Sequence, residues 1–187
     1  MTPRPGGPET GPGRLGSAVV IGTGLIGTSI ALALCEQGVT VWLADHDPAA
    51  AKLAADLGAG KVLPEPLGAA ERGQDAPAAA PPGRRPQAQD GPRADLAVLA
   101  VPPAAVASSL AAAQARRLAR WYTDVASVKA LPLRQAGELG CDLACFVPGH
   151  PLSGRERSGP AAARADLFLG RPWVICPGPL TRPEATN

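Results

Sequence analysis

Aromatic residues and histidines are scarce in this chain of 187 residues, which has three Trp, two Phe, one Tyr and two His. Eighteen Lys and Arg are balanced by 16 Asp and Glu, for a net charge of +2, and no basic run is interleaved with aromatics. Nucleic-acid-binding domains carry a strongly basic surface. We therefore expect no nucleic-acid partner.

Long apolar runs are also missing. No run approaches the roughly 20 residues that a membrane-spanning helix needs, and the Pro- and Gly-rich residues 1–15 lack the apolar core of a signal peptide. We expect a cytoplasmic protein without a membrane partner.

Cysteines are few and irregularly spaced. Cys35, Cys141, Cys145 and Cys176 include no Cys-x-x-Cys pair, and no His is spaced to complete a metal site with them. We expect buried or half-buried free thiols and no metal.

A glycine-rich turn stands out among the features that are present. An apolar run at residues 17–21 leads into a Gly-x-Gly-x-x-Gly string made by Gly22, Gly24 and Gly27, and a helical pattern follows. In dinucleotide-binding sites the first glycine allows a tight turn, the second lets a pyrophosphate approach, and the third lets helix and strand pack closely. The pyrophosphate is then expected at the helix N-terminus, at Leu25 and Ile26.

An acidic residue follows at the spacing that such sites use. A second apolar run, at residues 39–44, ends in Asp45, about 20 residues after the glycines. A carboxylate there accepts hydrogen bonds from the ribose hydroxyls of NAD and repels the 2′-phosphate of NADP. The alternative is that Asp45 or Asp47 only caps the helix beginning at Pro48. We expect Asp47 to be the cap and Asp45 to bind the ribose, with NAD as the cofactor and NADP less suitable.

Strand and helix patterns alternate along the chain. Strands are expected at 17–21, 39–44, 60–63, 96–101, 121–125, 144–147 and 173–176. Helices are expected from Leu25 to Gly38 and at 48–57, 104–120, 130–139 and 161–167, with Arg116, Arg117 and Arg120 on a solvated face of the third. This alternation predicts an α/β fold, a doubly wound parallel sheet of the Rossmann type that binds ligands at the carboxyl ends of its strands.

The domain organisation is simple. We predict a disordered leader at 1–15, one dinucleotide-binding domain at 16–178 and a tail at 179–187. Residues 64–93 are rich in Pro, Ala, Gly and Gln without a helical or strand period, which favours a disordered insertion. An active-site lid is the alternative for this segment.

Three loops after predicted strands are expected to line one crevice. Val101 and Pro102 shape its wall beside the cofactor. The second loop begins at Asp124, also expected beside the cofactor, and offers the hydroxyl of Ser127 and the cation of Lys129 near the nicotinamide. The alternative role for this segment is a helix cap.

The third loop contains His150, which immediately follows a predicted strand and a glycine. A neutral imidazole at such a position can accept a proton from an alcohol while hydride leaves the same carbon. The alternative is a structural loop histidine. The other histidine, His46, lies beside the expected ribose site.

Taken together, these motifs resemble the prephenate/arogenate dehydrogenase family of tyrosine biosynthesis, from about Ala18 to Pro177. The matching strings are Gly-Thr-Gly-Leu-Ile-Gly-Thr-Ser, Val-Pro-Pro, Thr-Asp-Val-Ala-Ser-Val-Lys, Gly-His-Pro-Leu-Ser-Gly-Arg-Glu-Arg-Ser-Gly and Asp-Leu-Phe-Leu-Gly. Ala126 and the pair Leu152 and Ser153 are small departures from the family pattern.

The resemblance implies an NAD(P)-dependent oxidative decarboxylation of prephenate to 4-hydroxyphenylpyruvate, or of arogenate to tyrosine. It also implies that His150 takes the proton of the ring hydroxyl, that Ser127 orients this hydroxyl or the nicotinamide, and that Glu156 stands at the edge of the substrate pocket. We expect Lys129 to bind the substrate with these residues. Family members continue into a helical domain that completes the substrate site and forms a homodimer. That domain is absent here, so we expect a truncated chain that binds cofactor and is inactive alone.

Two other interpretations stay open at this point. A β-hydroxyacid dehydrogenase shares the sheet and the glycine turn, but it calls for a Gly-rich loop in place of residues 124–129 and a later catalytic Lys. A non-catalytic NAD(H)-binding module keeps the fold without the reaction. The presence of Ser127, His150 and Glu156 argues against this module, and the missing second half argues for it.

Overall fold

The computed structural model describes residues 15–64, 93–153 and 158–186. Nearly all of the predicted leader and of the predicted insertion, together with Glu156, therefore lie outside the described residues. Among the described helices, none combines the length and the apolar character that crossing a bilayer requires.

Strands and helices alternate as the sequence predicts. The strands are β1 (Ser17–Ile21), β2 (Thr40–Ala44), β3 (Lys61–Val62), β4 (Ala94–Leu99), β5 (Ala119–Asp124), β6 (Phe146–Pro151) and β7 (Trp173–Ile175). The helices are α1 (Leu25–Glu36), α2 (Pro48–Asp56), α3 (Pro103–Ala115) and α4 (Ala130–Glu138).

The sheet has the order β3-β2-β1-β4-β5-β6-β7. The pairs from β3 to β6 are parallel, which confirms the doubly wound fold, whereas β7 pairs antiparallel with β6. A parallel edge strand needs a crossover connection, usually a helix. The helix predicted at 161–167 is wrong: this segment forms two 3-10 turns, Pro160–Ala162 and Ala165–Phe168, which pack on α1.

Element boundaries differ from the prediction at two places. Helix α3 ends at Ala115 rather than at Arg120, and β5 begins at Ala119, so Arg120 is a strand residue. No glycine marks this helix end, and Arg117 turns the chain with a φ of 53°. Strand β6 runs to Pro151, so that His150 lies within a strand rather than after it.

The two faces of the sheet bury separate apolar clusters. Val19 and Ile21 pack with α3 on one face, and Ala18 and Val20 pack with Ile30 of α1 on the other. A strand buried on both faces is typical of the centre of a parallel sheet. Because β1 and β4 are parallel neighbours, their carboxyl ends lie side by side at the centre of the sheet.

The packing of α1 against the sheet generates a stability prediction. A Cβ on Gly27 would collide with the Gly22 carbonyl oxygen and lie 2.9 Å from the Cβ of Ala100. Backbone cannot yield as a flexible side chain does, so Gly27→Ala should cost about 3 kcal/mol of unfolding free energy or more. Urea denaturation of both proteins measures the difference.

Gly137→Ala is the matched control. It lies on the exposed face of α4, and the nearest heavy atom to its added Cβ is 3.9 Å away. Because alanine is a better helix former than glycine, this variant should gain about 0.5–1 kcal/mol. Equal effects of the two substitutions would contradict the packing assigned to Gly27.

Candidate functional site

The glycine turn joins β1 to α1 at the carboxyl edge of the sheet. Gly22 has a φ of 95°, and a Cβ there would collide with the carbonyl oxygen of Ala100 after β4. Gly24 is exposed, and its added Cβ would meet no heavy atom within 4 Å. The turn is therefore crowded on the side of the sheet and open on the side of the crevice.

The N-terminus of α1 faces this open space. Gly24 is the N-cap and has no side chain to cap the first N–H groups, and the first turn holds no acidic residue. Leu25 is buried and Ile26 half-buried behind it. An uncapped helix N-terminus with a glycine before it fits a phosphate group.

Asp45 follows β2 and is tied to the glycine turn. Its Oδ2 accepts hydrogen bonds from the backbone N of Thr23 at 2.5 Å and from Thr23 Oγ1 at 2.8 Å. Its Oδ1 accepts from the backbone N of Asp47 at 2.9 Å and lies 2.8 Å from Nδ1 of His46. The carboxylate is thus held at the end of β2, next to the turn that precedes α1.

The charge of Asp45 is stabilised by these contacts. Burial opposes ionisation, but the amides of Asp47 and Thr23, the Thr23 hydroxyl and the charge of His46 together hold the pKa of Asp45 below its usual value. The site therefore presents a carboxylate and not a carboxylic acid at neutral pH.

The capping prediction for α2 is confirmed. Asp47 is the N-cap, its Oδ1 accepts from the backbone N of Ala49 at 2.9 Å, and Pro48 occupies the first helical position. Asp47, and not Asp45, therefore caps α2, and the carboxylate of Asp45 contacts the glycine turn.

Val101 and Pro102 lie in the loop after β4, beside the glycine turn. A side-chain carbon of Val101 would be 3.1 Å from a Cβ on Gly22, and Pro102 is the N-cap of α3. Both residues thus follow β4 at the carboxyl ends of the strands, and their place in the wall of the crevice stays a prediction.

Asp124 lies inside the protein at the end of β5, with 1% of its surface exposed. Its carboxylate accepts from Nζ of Lys129 at 2.7 Å, from the backbone N of Ala126 at 3.1 Å and from the backbone N of Gly149 at 3.2 Å. The sequence predicts a place beside the cofactor for Asp124. The structure instead directs its carboxylate into the junction between β5, the following loop and β6.

Lys129 is the counter-ion of this carboxylate. Its ammonium also donates a hydrogen bond to the carbonyl oxygen of Gly149, and 18% of its side chain is exposed. The sequence predicts a substrate contact for Lys129, whereas the structure shows its ammonium bridging the loop after β5 to β6. The pair Asp124–Lys129 thus fixes the backbone immediately before His150.

His150 is half-buried on β6, and its ring contacts the loop after β5. Nδ1 lies 3.4 Å from the carbonyl oxygen of Val125. A carbonyl oxygen can only accept, so this contact favours the tautomer with hydrogen on Nδ1 and leaves the Nε2 lone pair available as a base. Pairing of His150 with Val174 of β7 further fixes its backbone.

Two predicted site residues are less constrained. Ser127 is exposed in the loop that connects Asp124 to Lys129, and Glu156 lies outside the described residues. The sequence prediction overlooked Thr23, which is 0% exposed and gives Asp45 two of its hydrogen bonds. The signal available for it was a hydroxyl residue between the first two glycines of the turn.

The cysteines are free and half-buried, as the sequence predicts. Within the ranges that the structure describes, no group of three His, Cys, Asp or Glu side chains can hold a metal ion.

The Asp124–Lys129 pair generates a testable prediction. Lys129→Met removes the cation and leaves the buried carboxylate of Asp124 without its counter-ion. Breaking a buried pair costs about 3–5 kcal/mol. Chemical denaturation should therefore show a loss near the lower end of this range, because Lys129 is partly exposed.

Lys52→Met is the matched control. Lys52 pairs with Asp56 on α2, but 72% and 59% of the two side chains are exposed. Its removal should change the unfolding free energy by about 0.5 kcal/mol or less. A Lys129 variant no less stable than the Lys52 variant would show that the Asp124–Lys129 pair does not hold this junction.

Comparison with known proteins identifies relatives of this chain. The family model described as prephenate dehydrogenase, nucleotide-binding domain, matches residues 84–187. A second model, described as NADP oxidoreductase coenzyme F420-dependent, matches residues 17–120. The chain is also 47% identical over 172 residues to the probable prephenate dehydrogenase NovF of Streptomyces niveus. That match covers 91% of this chain and 40% of the relative's length.

Solved structures of similar fold include prephenate and arogenate dehydrogenases. Prephenate dehydrogenase from A. aeolicus, in complex with hydroxyphenyl propionate and NAD⁺, matches with a TM-score of 0.72 and 20% identity, over 94% of this chain and 55% of that one. Synechocystis arogenate dehydrogenase matches with a TM-score of 0.69 and 24% identity, over 91% and 53%. These structural similarities establish a Rossmann-type fold, and the match to the family model identifies the family of the chain. The chain belongs to the prephenate dehydrogenase family and corresponds to its nucleotide-binding domain.

Proposed function

We propose that this chain is the nucleotide-binding part of an NAD-dependent dehydrogenase that oxidatively decarboxylates prephenate to 4-hydroxyphenylpyruvate, or arogenate to tyrosine. The observation that carries the proposal is His150 at the carboxyl edge of the sheet, with Nδ1 directed at the Val125 carbonyl oxygen and Nε2 left as a base. The chain spans 40% of NovF, so the activity is proposed for the complete enzyme.

The cofactor site is proposed at the glycine turn. Gly24 leaves open space beside the turn, and the uncapped first turn of α1 offers N–H groups to a pyrophosphate. Val101 and Pro102 would form the wall beside it. When bound there, NAD⁺ supplies the acceptor for the hydride that leaves the substrate.

Asp45 supports NAD rather than NADP. Its carboxylate is charged and held next to the turn, where a 2′-phosphate would be repelled. The protein already donates two hydrogen bonds to Oδ2, and Oδ1 has the Asp47 amide and His46 as neighbours. The imidazole of His46 is 96% exposed, so it is the neighbour that can move away when a ribose hydroxyl binds.

The proposed acid–base chemistry uses one residue. Nε2 of His150 would accept the proton of the ring hydroxyl as the carbon that bears this hydroxyl loses hydride, which gives a ring ketone. The bond to the departing CO₂ then breaks and leaves its electron pair in the ring, the ketone oxygen becomes a phenolate, and His150 returns the proton to it. The ring becomes aromatic, so the chemical step is downhill and the protein supplies orientation and a base. Ser127, exposed on the adjoining loop, would orient the hydroxyl or the nicotinamide.

The remaining substrate contacts are proposed in part outside this chain. Glu156 would stand at the edge of the substrate pocket, and Lys129, through Asp124 and Gly149, would hold the backbone of His150 in place. Other substrate contacts and a homodimer interface are proposed for the part of the complete enzyme that corresponds to the unmatched length of NovF.

The reaction is tested by following NAD⁺ reduction with prephenate and with arogenate in parallel. The assay uses this chain and the complete product of its reading frame. Turnover of either compound by the complete product supports the proposal, and the ratio of rates identifies the preferred substrate. Lack of turnover with both, in protein shown to bind NADH, would refute the proposed reaction.

His150→Asn tests the proposed base. Because asparagine cannot accept a proton at neutral pH, kcat in the complete enzyme should fall by a factor of about 10² or more. The dissociation constant for NADH should change little, since His150 is proposed to act on the substrate. An unimpaired kcat would remove His150 from the mechanism.

A further inference from the structure

A cavity lies at the amino ends of the strands, on the opposite side of the sheet from the proposed dehydrogenase site. It has a volume of about 480 Å³, within the size range of small-molecule sites. Its floor is the beginning of β5, from Ala119 to Tyr122, and its walls come from the end of α3 and from the segment before β6. In a parallel sheet these amino ends face away from the carboxyl ends that hold the glycine turn and His150.

Four arginines from four separate segments line this cavity: Arg93 before β4, Arg117 after α3, Arg120 on β5 and Arg182 near the end of the chain. All four are exposed, and none forms an ion pair with a carboxylate of the described residues. Arg120 packs its guanidinium 5.1 Å from the ring centre of Trp121, which also lines the cavity.

The other ionisable groups of the cavity do not cancel this charge. The carboxylate of Asp142 caps the turn before β6, accepting from the backbone N of Ala144, and Glu184 is exposed. Burial first, and then the nearby Asp142, raise the pKa of Cys145 to about 11, and burial raises the pKa of Tyr122. Both groups stay neutral at pH 7, so four positive charges face two negative ones.

The backbone of Arg117 adopts a conformation that is unfavourable for residues other than glycine. The four α-helices of the described residues end in the same hydrogen-bond pattern, and in three of them the residue in the left-handed region is a glycine: Gly38, Gly58 and Gly140. In α3 this residue is Arg117, with a φ of 53°. Glycine adopts this conformation without a steric cost, whereas arginine does so at a cost, and an unfavourable backbone conformation of this kind is a reason to look for a role of the side chain.

We infer that this arginine-lined cavity binds a small anion with at least two anionic oxygens, such as a phosphate ester or a polycarboxylate. Guanidinium groups form paired hydrogen bonds with both phosphate and carboxylate, so the shared chemistry is the multiply charged oxyanion. Trp121 adds an apolar wall for the carbon skeleton. The site is distinct from the proposed dehydrogenase site and does not depend on that proposal.

Isothermal titration of the chain with inorganic pyrophosphate and with citrate tests this inference and distinguishes the two ligand chemistries. At least one should bind with a dissociation constant below about 1 mM at low salt, and added NaCl should weaken the binding. Absence of heat and of any thermal stabilisation with both compounds at ten times that concentration would overturn the inference.

Variants then locate the binding. Arg120→Gln with Arg182→Gln should weaken the tighter of the two anions at least tenfold, and the corresponding double Lys variant should keep part of the affinity. Arg134→Gln removes a positive charge from the exposed face of α4 without touching the cavity and should leave the affinity unchanged. Equal affinity of the double Gln variant and the Arg134 variant would overturn the site.

Arg117→Gly should raise the thermal stability and weaken anion binding. Relief of the backbone strain should raise Tm by about 2–4 °C in a domain of this size, while loss of the guanidinium should weaken anion binding several-fold. A variant that is more stable and binds as tightly as the parent chain would show that Arg117 plays no part in the site.

Discussion

The close approach of three backbone segments at the glycine turn is the constraint on which the crevice depends. Gly22 and Gly27 let the end of β1, the first turn of α1 and the residue after β4 come together without side chains between them. As a result the N-terminus of α1 opens directly onto the carboxyl edge of the sheet. Bulkier residues at either position would push the helix away from β1 and separate its N–H groups from Asp45.

Between β5 and β6, a buried ion pair rather than a pair of glycines holds the segments together. The buried carboxylate of Asp124 contacts the loop after β5, the start of α4 and the backbone of β6, and Lys129 compensates its charge. The desolvation cost of a buried ion pair is offset only when its remaining hydrogen bonds are made. Here the backbone N–H groups of Ala126 and Gly149 provide them. The consequence is a fixed position for Val125 and His150, the two residues whose contact orients the imidazole.

Much of this arrangement follows from the sequence. The glycine spacing, the acid after β2 and the Asp47–Pro48 cap are local signals, because each depends on residues a few positions apart. Local sequence patterns do not predict tertiary contacts. Nothing local distinguishes an Asp at a crevice from one buried with Lys129 and Gly149, and the antiparallel pairing of β7 depends on how residues 158–172 pack against α1. The end of α3 escaped prediction because Arg117 occupies a position where helices usually show glycine.

The most direct test of this account is a titration of the 187-residue chain with NADH and with NADPH by isothermal calorimetry. An accessible helix N-terminus beside the charged Asp45 predicts that NADH binds at one site and that NADPH binds at least tenfold more weakly. Binding of neither dinucleotide would contradict the nucleotide site at the glycine turn. Equal affinities would contradict the role assigned to Asp45.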